Sequence, residues 1–239
     1  MSPVKDVALL DSKKIFLPLK NKAISGSFWA LVGFGGGQVV RLCSNLILTR
    51  LLFPEVFGLM ALVQVVISGI QMLSDVGIST SVVRDKRGDD LEYLNTAWTL
   101  QIIRGAIIWM LCWIVAYPLA SFYEAPELSL LIPVVGISAL INGFYSPSIM
   151  TLKRHIKLRW LIGWELTGQF ISVVTTLILA WYFRSIWAIV FGGLIGSFAT
   201  LALSYRMLTP SKPRFNLDAD SVANIYNFGK WIFVSSFIT

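Results

Sequence analysis

Trp160–Met207 reads WLIGWELTGQFISVVTTLILAWYFRSIWAIVFGGLIGSFATLALSYRM. Two apolar stretches, Trp160–Phe183 and Ile186–Met207, are parted only by Arg184 and Ser185. Each is longer than the ~20 residues a helix needs to cross the hydrocarbon core. A basic run, Lys153-Arg154-His155-Ile156-Lys157-Leu158-Arg159, precedes the first stretch, and Arg206 and Lys212 close the second. The segment therefore predicts a transmembrane hairpin with a basic open end and a tight, nearly uncharged turn.

The pattern continues toward the N-terminus. Ser25–Thr49, Glu55–Thr80, Thr96–Tyr117 and Leu128–Met150 are four further candidate spans. Six spans predict an all-α integral membrane protein, a six-transmembrane-helix bundle. Sixteen of the 20 Lys and Arg residues fall in the N-terminal tail and in alternate gaps, all on one side. Arg50 and Arg184 lie on the other side, and Arg41 and Arg104 lie inside spans. The positive-inside rule then makes the N-terminus cytoplasmic. The implied divisions are a cytoplasmic tail at 1–24, a transmembrane lobe at 25–207, a cytoplasmic linker at 208–227 and an incomplete seventh helix at 228–239. The apolar run from Phe228 to Thr239 reaches about 18 Å of the roughly 30 Å core. The expectation is that the chain continues past Thr239, or that two copies pair in parallel.

Composition agrees. The chain is 56% hydrophobic with a net charge of +7. In a soluble protein that charge would suggest nucleic acid. Here the cations flank spans, where they meet anionic lipid, so nucleic acid is excluded as a partner. The first apolar stretch is too long for a signal-peptide core and lacks a small-residue cleavage site, so no cleavable signal is expected. Cys43 and Cys112 both fall within spans and do not report a redox compartment. His155, the sole histidine, has no Cys or His partner at ligand spacing, so neither metal nor cofactor is expected.

Glycines concentrate in the first and sixth spans. Gly33/Gly37 and Gly192/Gly196 have the four-residue spacing that lets helices approach closely. Gly35-Gly36-Gly37 also weakens its helix and invites a bend. The run lacks the strand–turn–helix setting of a dinucleotide loop. The fourth span is interrupted by Pro133, Gly136, Asn142, Gly143, Ser146 and Pro147, which predicts a kink. Tryptophan and tyrosine gather at span ends as an aromatic belt.

Four ionisable residues sit at membrane depth: Arg41, Asp75, Arg104 and Glu165. Each costs roughly 2.5–3.5 kcal/mol on insertion scales, so each requires a partner or a water-filled cavity. Counting 1.5 Å per residue places Asp75, Arg104 and Glu165 at similar depths, with Arg41 deeper. Two readings follow. Arg104 pairs with Asp75 or Glu165 as an internal ion pair. Alternatively, Arg41 and Arg104, with Gln38 and Asn142, present cations and hydrogen-bonding groups to an anionic substrate, and Asp75 and Glu165 serve a coupling ion. Asn45, Gln64, Gln71 and Gln169 add further hydrogen-bonding groups at membrane depth.

In order along the chain stand Arg50-Leu51-Leu52-Phe53-Pro54-Glu55-Val56-Phe57-Gly58, Asp75-Val76-Gly77-Ile78, Asn95-Thr96, Arg104-Gly105, Asn142-Gly143-Phe144-Tyr145-Ser146-Pro147, Glu165 and Trp187-Ala188-Ile189-Val190. This series resembles the bacterial polysaccharide flippases of the multidrug/oligosaccharidyl-lipid/polysaccharide exporter superfamily. The resemblance covers the whole chain but only the first half of a typical member. It implies one lobe of a two-lobe exporter. It also implies movement of undecaprenyl-pyrophosphate-linked oligosaccharide across the bacterial inner membrane by alternating access, for O-antigen, capsule or exopolysaccharide assembly. The polysaccharide polymerase machinery is an implied partner. The nearest alternative is an H⁺- or Na⁺-coupled exporter of drugs or metabolites. A non-catalytic scaffold of the assembly machinery stands further off. A membrane enzyme is disfavoured, because the external loops are short and the only histidine is cytoplasmic.

Overall fold

A computed structural model describes residues 29, 31, 33–74, 77–208 and 213–238. Every regular element among them is a helix: α1 (33–51), α2 (Pro54–Leu73), α3 (Ile78–Arg84), α4 (Leu91–Phe122), α5 (Leu128–Gly143), α6 (Ser148–Arg154), α7 (Leu158–Phe183), α8 (Ile186–Leu208) and α9 (Ala219–Ile238). The molecule is an all-α, multi-pass membrane protein. Helices α2, α4, α7 and α8 are each long and apolar enough to cross a membrane, and α5 with α6 makes a fifth such element bent by 67°. The first expected span, Ser25–Thr49, falls partly outside the described residues.

Two antiparallel helix pairs form the body, α4 with α5 and α7 with α8. Small residues make each pair close. Along α7 and α8, Gly168 faces Thr200, Ser172 faces Gly196 and Thr176 faces Gly192. Along α4 and α5, Gly105 meets the Ala139 carbonyl, Gly143 meets the Gln101 carbonyl and Gly136 meets Cys112. Lipid supplies little hydrophobic drive between helices, so backbone proximity of this kind holds a membrane bundle together. Buried apolar side chains of α2, α4, α5 and α8 (among them Val63, Ile108, Leu131 and Val190) join the pairs. Helix α1 lies on α7: Gly33 fits Ile162, and Gln169 Nε2 donates to the Gly37 carbonyl at 2.9 Å. The triple-glycine run is helical throughout 33–51 rather than broken.

Two spans break near the basic end of the bundle. The expected span Glu55–Thr80 is not one helix. Helix α2 stops at Leu73, Ser74 caps it, and Gly77 adopts a left-handed φ of 61° before α3 begins. In sequence Asp75 reads as a charge buried inside one long span, which is why the break is not evident there. The kink expected in the fourth span lies at Phe144–Pro147, while Pro133 sits inside continuous α5. Backbone freed inside a membrane must find partners. Here α8 provides them: the Ser146 amide donates to Ser204 Oγ at 3.2 Å, and the Tyr205 hydroxyl donates to the Phe144 carbonyl at 2.8 Å.

The short helices α3 and α6 meet the start of α4 in a platform cored by Ile78, Val82, Tyr93, Ala97, Met150 and Ile225. Arg154 clamps it. Its guanidinium donates to the Val82 carbonyl at 3.0 Å, the Val83 carbonyl at 3.2 Å, the Asp85 carbonyl and Asp89 Oδ2 at 3.0 Å. These carbonyls end α3, where a helix lacks internal donors and favours a cation. His155 Nε2 lies 2.9 Å from Asp89 Oδ1. Partial desolvation pushes the Asp89 carboxyl up, but the His155 hydrogen bond and the charges of His155 and Arg154 outweigh it and hold it below the ordinary 3.8. A depressed carboxyl contributes stability above its ordinary value and loses it as pH falls through the lowered one. Arg154→Ala should therefore destabilise the platform by about 1.5–3 kcal/mol, since several charge-assisted bonds to carbonyls are lost. Amide protection factors across 82–90 should fall in the variant, and in the unmodified chain they should fall only as pH drops through and below the ordinary carboxyl value.

Residues 213–218 run beside the first turns of α4. The Arg214 amide donates to Asn95 Oδ1, the Asn216 amide to Thr99 Oγ1 and the Asp218 amide to Thr96 Oγ1, at 3.2, 3.2 and 3.3 Å. Phe215 lies against Trp98 with ring centres 4.9 Å apart and ring planes tilted by 43°. Asp218 Oδ2 then caps α9 by accepting from the Ser221 amide at 2.8 Å. That cap, with Ile225 plugged into the platform core, starts α9 at Ala219, nine residues before the apolar run at Phe228.

Candidate functional site

A cavity of about 210 Å³ opens between α2, α4 and α5, just inside the two helix breaks. Gln71 comes from α2, Gln101, Arg104, Gly105 and Ile108 from α4, and Ala139, Asn142 and Gly143 from α5. The spacing of Gln101, Arg104 and Ile108 is that of one helix face. Gly105 and Gly143 are where α4 and α5 touch backbone to backbone, so the larger polar side chains beside them are displaced toward α2.

Arg104 is the cation of this cavity. Its Nη2 donates to the Gln71 carbonyl at 3.0 Å, and its Nε lies 3.4 Å from Ser74 Oγ. Both contacts are on the last turn of α2. The cavity also contains Asn142 and Gly143, the last residues of α5. A helix C-terminus carries partial negative charge, and neither α2 nor α5 has a basic residue of its own in its last turn. Helix α4 supplies that cation from the side, at the convergence of two helix C-termini. This electrostatic setting offsets part of the cost of placing Arg104 at membrane depth.

The structure thus brings Arg104 and Asn142 together, with Gln71, as lining of one cavity. It does not bring Gln38 or Arg41 there. Both are exposed on α1, on a flank they share with Asn45 at helical spacing, beside the face that packs on α7. Glu165 is exposed on α7 and outside the cavity lining. Asp75 lies outside the described residues. Gln101 was missed by the sequence reading, although its place three residues before Arg104 was the available signal. Among the described residues no three His, Cys, Asp or Glu side chains converge as a metal site.

A membrane bundle whose broken helices border a polar cavity lined by an arginine is more than a simple anchor, because irregular backbone at membrane depth survives where it is buried in protein or lines water. The family described as "Polysaccharide biosynthesis protein" matches residues 47–239, and the chain belongs to it. It is 22% identical over 229 residues to the lipopolysaccharide biosynthesis protein WzxC of Escherichia coli (strain K12), covering 93% of this chain and 45% of that protein. It is 20% identical over 214 residues to the succinoglycan biosynthesis transport protein ExoT of Rhizobium meliloti (strain 1021), covering 84% of this chain and 43% of the other. The chain therefore spans less than half the length of these relatives. No solved structure matches it.

Proposed function

We propose that this chain forms a six-span lobe of a transporter that flips undecaprenyl-pyrophosphate-linked oligosaccharide from the cytoplasmic to the outer face of the bacterial inner membrane. The platform of α3, α6 and the start of α9 then faces the cytoplasm, where its Lys and Arg residues meet anionic lipid. The N-terminus is cytoplasmic, residues 1–24 and 208–227 lie on that side, and residues 228–239 continue into a seventh span. The polysaccharide polymerase machinery receives the product.

The observation that carries this reading is the cavity between α2, α4 and α5. A transported pyrophosphate needs compensation for lost hydration, which a forked guanidinium offers. The glycan needs hydrogen-bonding groups, which Gln71, Gln101 and Asn142 offer. No bond is made or broken in such a cycle, so the site holds amides and a cation instead of a nucleophile and base. Gln38 and Arg41 on the exposed flank of α1 form a second polar surface for the same cargo as the lobes rock. Asp75 and Glu165 are assigned to ion coupling or internal pairing.

The test is complementation. Asn142→Leu in the full-length protein, expressed in a strain lacking its own flippase, is expected to cut surface glycan about tenfold at unchanged protein level, the effect of one lost hydrogen-bonding group of ~1.4 kcal/mol. Normal export in both Asn142→Leu and Gln101→Leu would remove the cavity from the transport path.

A further inference from the structure

The polar cavity has an apolar neighbour. A groove of about 320 Å³ lies between α4 and α9, floored by Ile78 and Ile225 and walled by Leu100, Ile103, Ile107 and Val222. Among the described residues, Arg104 alone lines both the groove and the polar cavity. Ile78 and Ile225 are 2% and 1% exposed, so the floor is a packed surface. Ile103 and Ile107, at 41% and 45%, leave the upper wall open. The helix that closes the groove is held in place. Asp218 caps α9 and the 213–218 segment is bonded to α4, so the groove is a fixed feature of the lobe.

An apolar channel and a polar pocket that share a single guanidinium match an amphiphile with an anionic junction. We propose that the groove between α4 and α9 binds the isoprenoid chain of a lipid phosphate whose phosphate group lies at Arg104. The inference rests on the flippase reading above and deepens it. The carrier's proximal tail enters the protein, and only the remainder trails in the bilayer. A water-sized group occupies about 30 Å³, so the groove holds about ten methylene-sized groups, a segment of one chain. Single-chain isoprenyl phosphates fit this, and diacyl lipids present two chains. The charge argument points the same way. A phosphate at Arg104 keeps its head beside Gln71, Gln101 and Asn142, while the first isoprene units replace lipid against Ile103 and Ile107.

The test is photolabelling of the purified full-length protein in nanodiscs with diazirine-bearing farnesyl phosphate. Matched diazirine farnesol and diazirine phosphatidylglycerol serve as comparisons. Farnesyl phosphate should label peptides containing Leu100–Ile107 and Val222–Tyr226 at least tenfold over the other apolar helices. Ile103→Trp and, separately, Val222→Trp should each reduce that labelling about tenfold. Ile103 is partly exposed and Val222 lies on a different helix, so a folding defect in one variant leaves the other informative. Equal labelling of all membrane-facing helices, or equal labelling of the groove by phosphatidylglycerol, would overturn the proposal in favour of ordinary bilayer contact. Labelling by farnesol as strong as by farnesyl phosphate would overturn the role of Arg104. The two readings fail separately. Failure of the unmodified full-length protein to restore export in the flippase-deficient strain removes the flippase assignment but leaves a lipid-phosphate groove. Lost export with no groove labelling removes the groove alone.

Discussion

Gly105→Leu is expected to eliminate folded protein, and Gly143→Leu and Gly192→Leu to come close to doing so. A Cβ at Gly105 would lie 2.7 Å from the Ala139 carbonyl oxygen, and one at Gly143 would lie 2.8 Å from the Gln101 carbonyl oxygen. At Gly192 it would lie 2.6 Å from Thr176 Cα. These obstacles are backbone, which cannot rotate away as a side-chain tip does. Overpacking generally costs about 1–3 kcal/mol, and a leucine driven against an opposing backbone lies at or beyond the top of that range. Few domains hold more than 5–15 kcal/mol of stability in reserve. In a membrane the loss is compounded, because helix pairs that cannot approach closely have little else to bind them. The internal control is Gly193→Ala, one residue along α8, where an added Cβ meets nothing within 4 Å. Monodisperse protein recovered after detergent extraction should fall sharply for Gly105→Leu and stay near normal for Gly193→Ala. Equal recovery of the two would show that the seams are looser than these distances require.

The seams also mark the limit of the sequence. Span existence was legible because hydropathy is a local property of ~20 residues. The Gly192/Gly196 spacing pointed correctly to close packing. Gly105, Gly136 and Gly143 gave no such sign. They are scattered over two helices, and their purpose exists only when α4 and α5 lie antiparallel. The break between α2 and α3 was hidden for a different reason: Asp75 reads as a charge buried within one span, whereas Gly77 is left-handed and α3 starts just after it. The site was half legible. Arg104 and Asn142 stood out as polar residues at membrane depth, but depth along a helix does not give direction around it. Arg41 and Gln38 therefore looked like members of the same cavity, whereas α1 lies on the α7 side of the bundle and presents them elsewhere. Gln101 was overlooked because it stands near the end of a span, where a polar residue attracts no notice.

Arg104→Ala in the full-length protein is expected to reduce glycan export by roughly ten- to a hundredfold. The side chain makes charge-assisted bonds to the end of α2, and such bonds contribute about 1.5–3 kcal/mol when kept from water. If its main task is to receive phosphate, the loss appears in export per molecule, and abundance at the membrane holds. Arg104→Lys then recovers only part of the activity, because an ammonium keeps the charge and loses the fork. If its main task is to neutralise the C-termini of α2 and α5, the pattern reverses. Abundance falls, Arg104→Lys restores it, and export per surviving molecule is normal. Gln101→Leu separates the two further, since Gln101 lines the cavity but makes neither of the Arg104 contacts to α2. A transport cavity predicts that Gln101→Leu and Arg104→Ala both impair export, and a structural stitch predicts that only Arg104→Ala has an effect. Arg104 holds the end of α2 and also lines the cavity beside the end of α5, a position in which both tasks meet. An incoming phosphate would compete with the α2 carbonyl for the same donors, so binding would loosen the hold of α4 on the broken end of α2. In the proposed transport cycle, that exchange would give cargo a direct means of changing the helix packing. It predicts that farnesyl phosphate raises amide exchange at residues 71–74 in the unmodified chain and leaves it unchanged in Arg104→Ala.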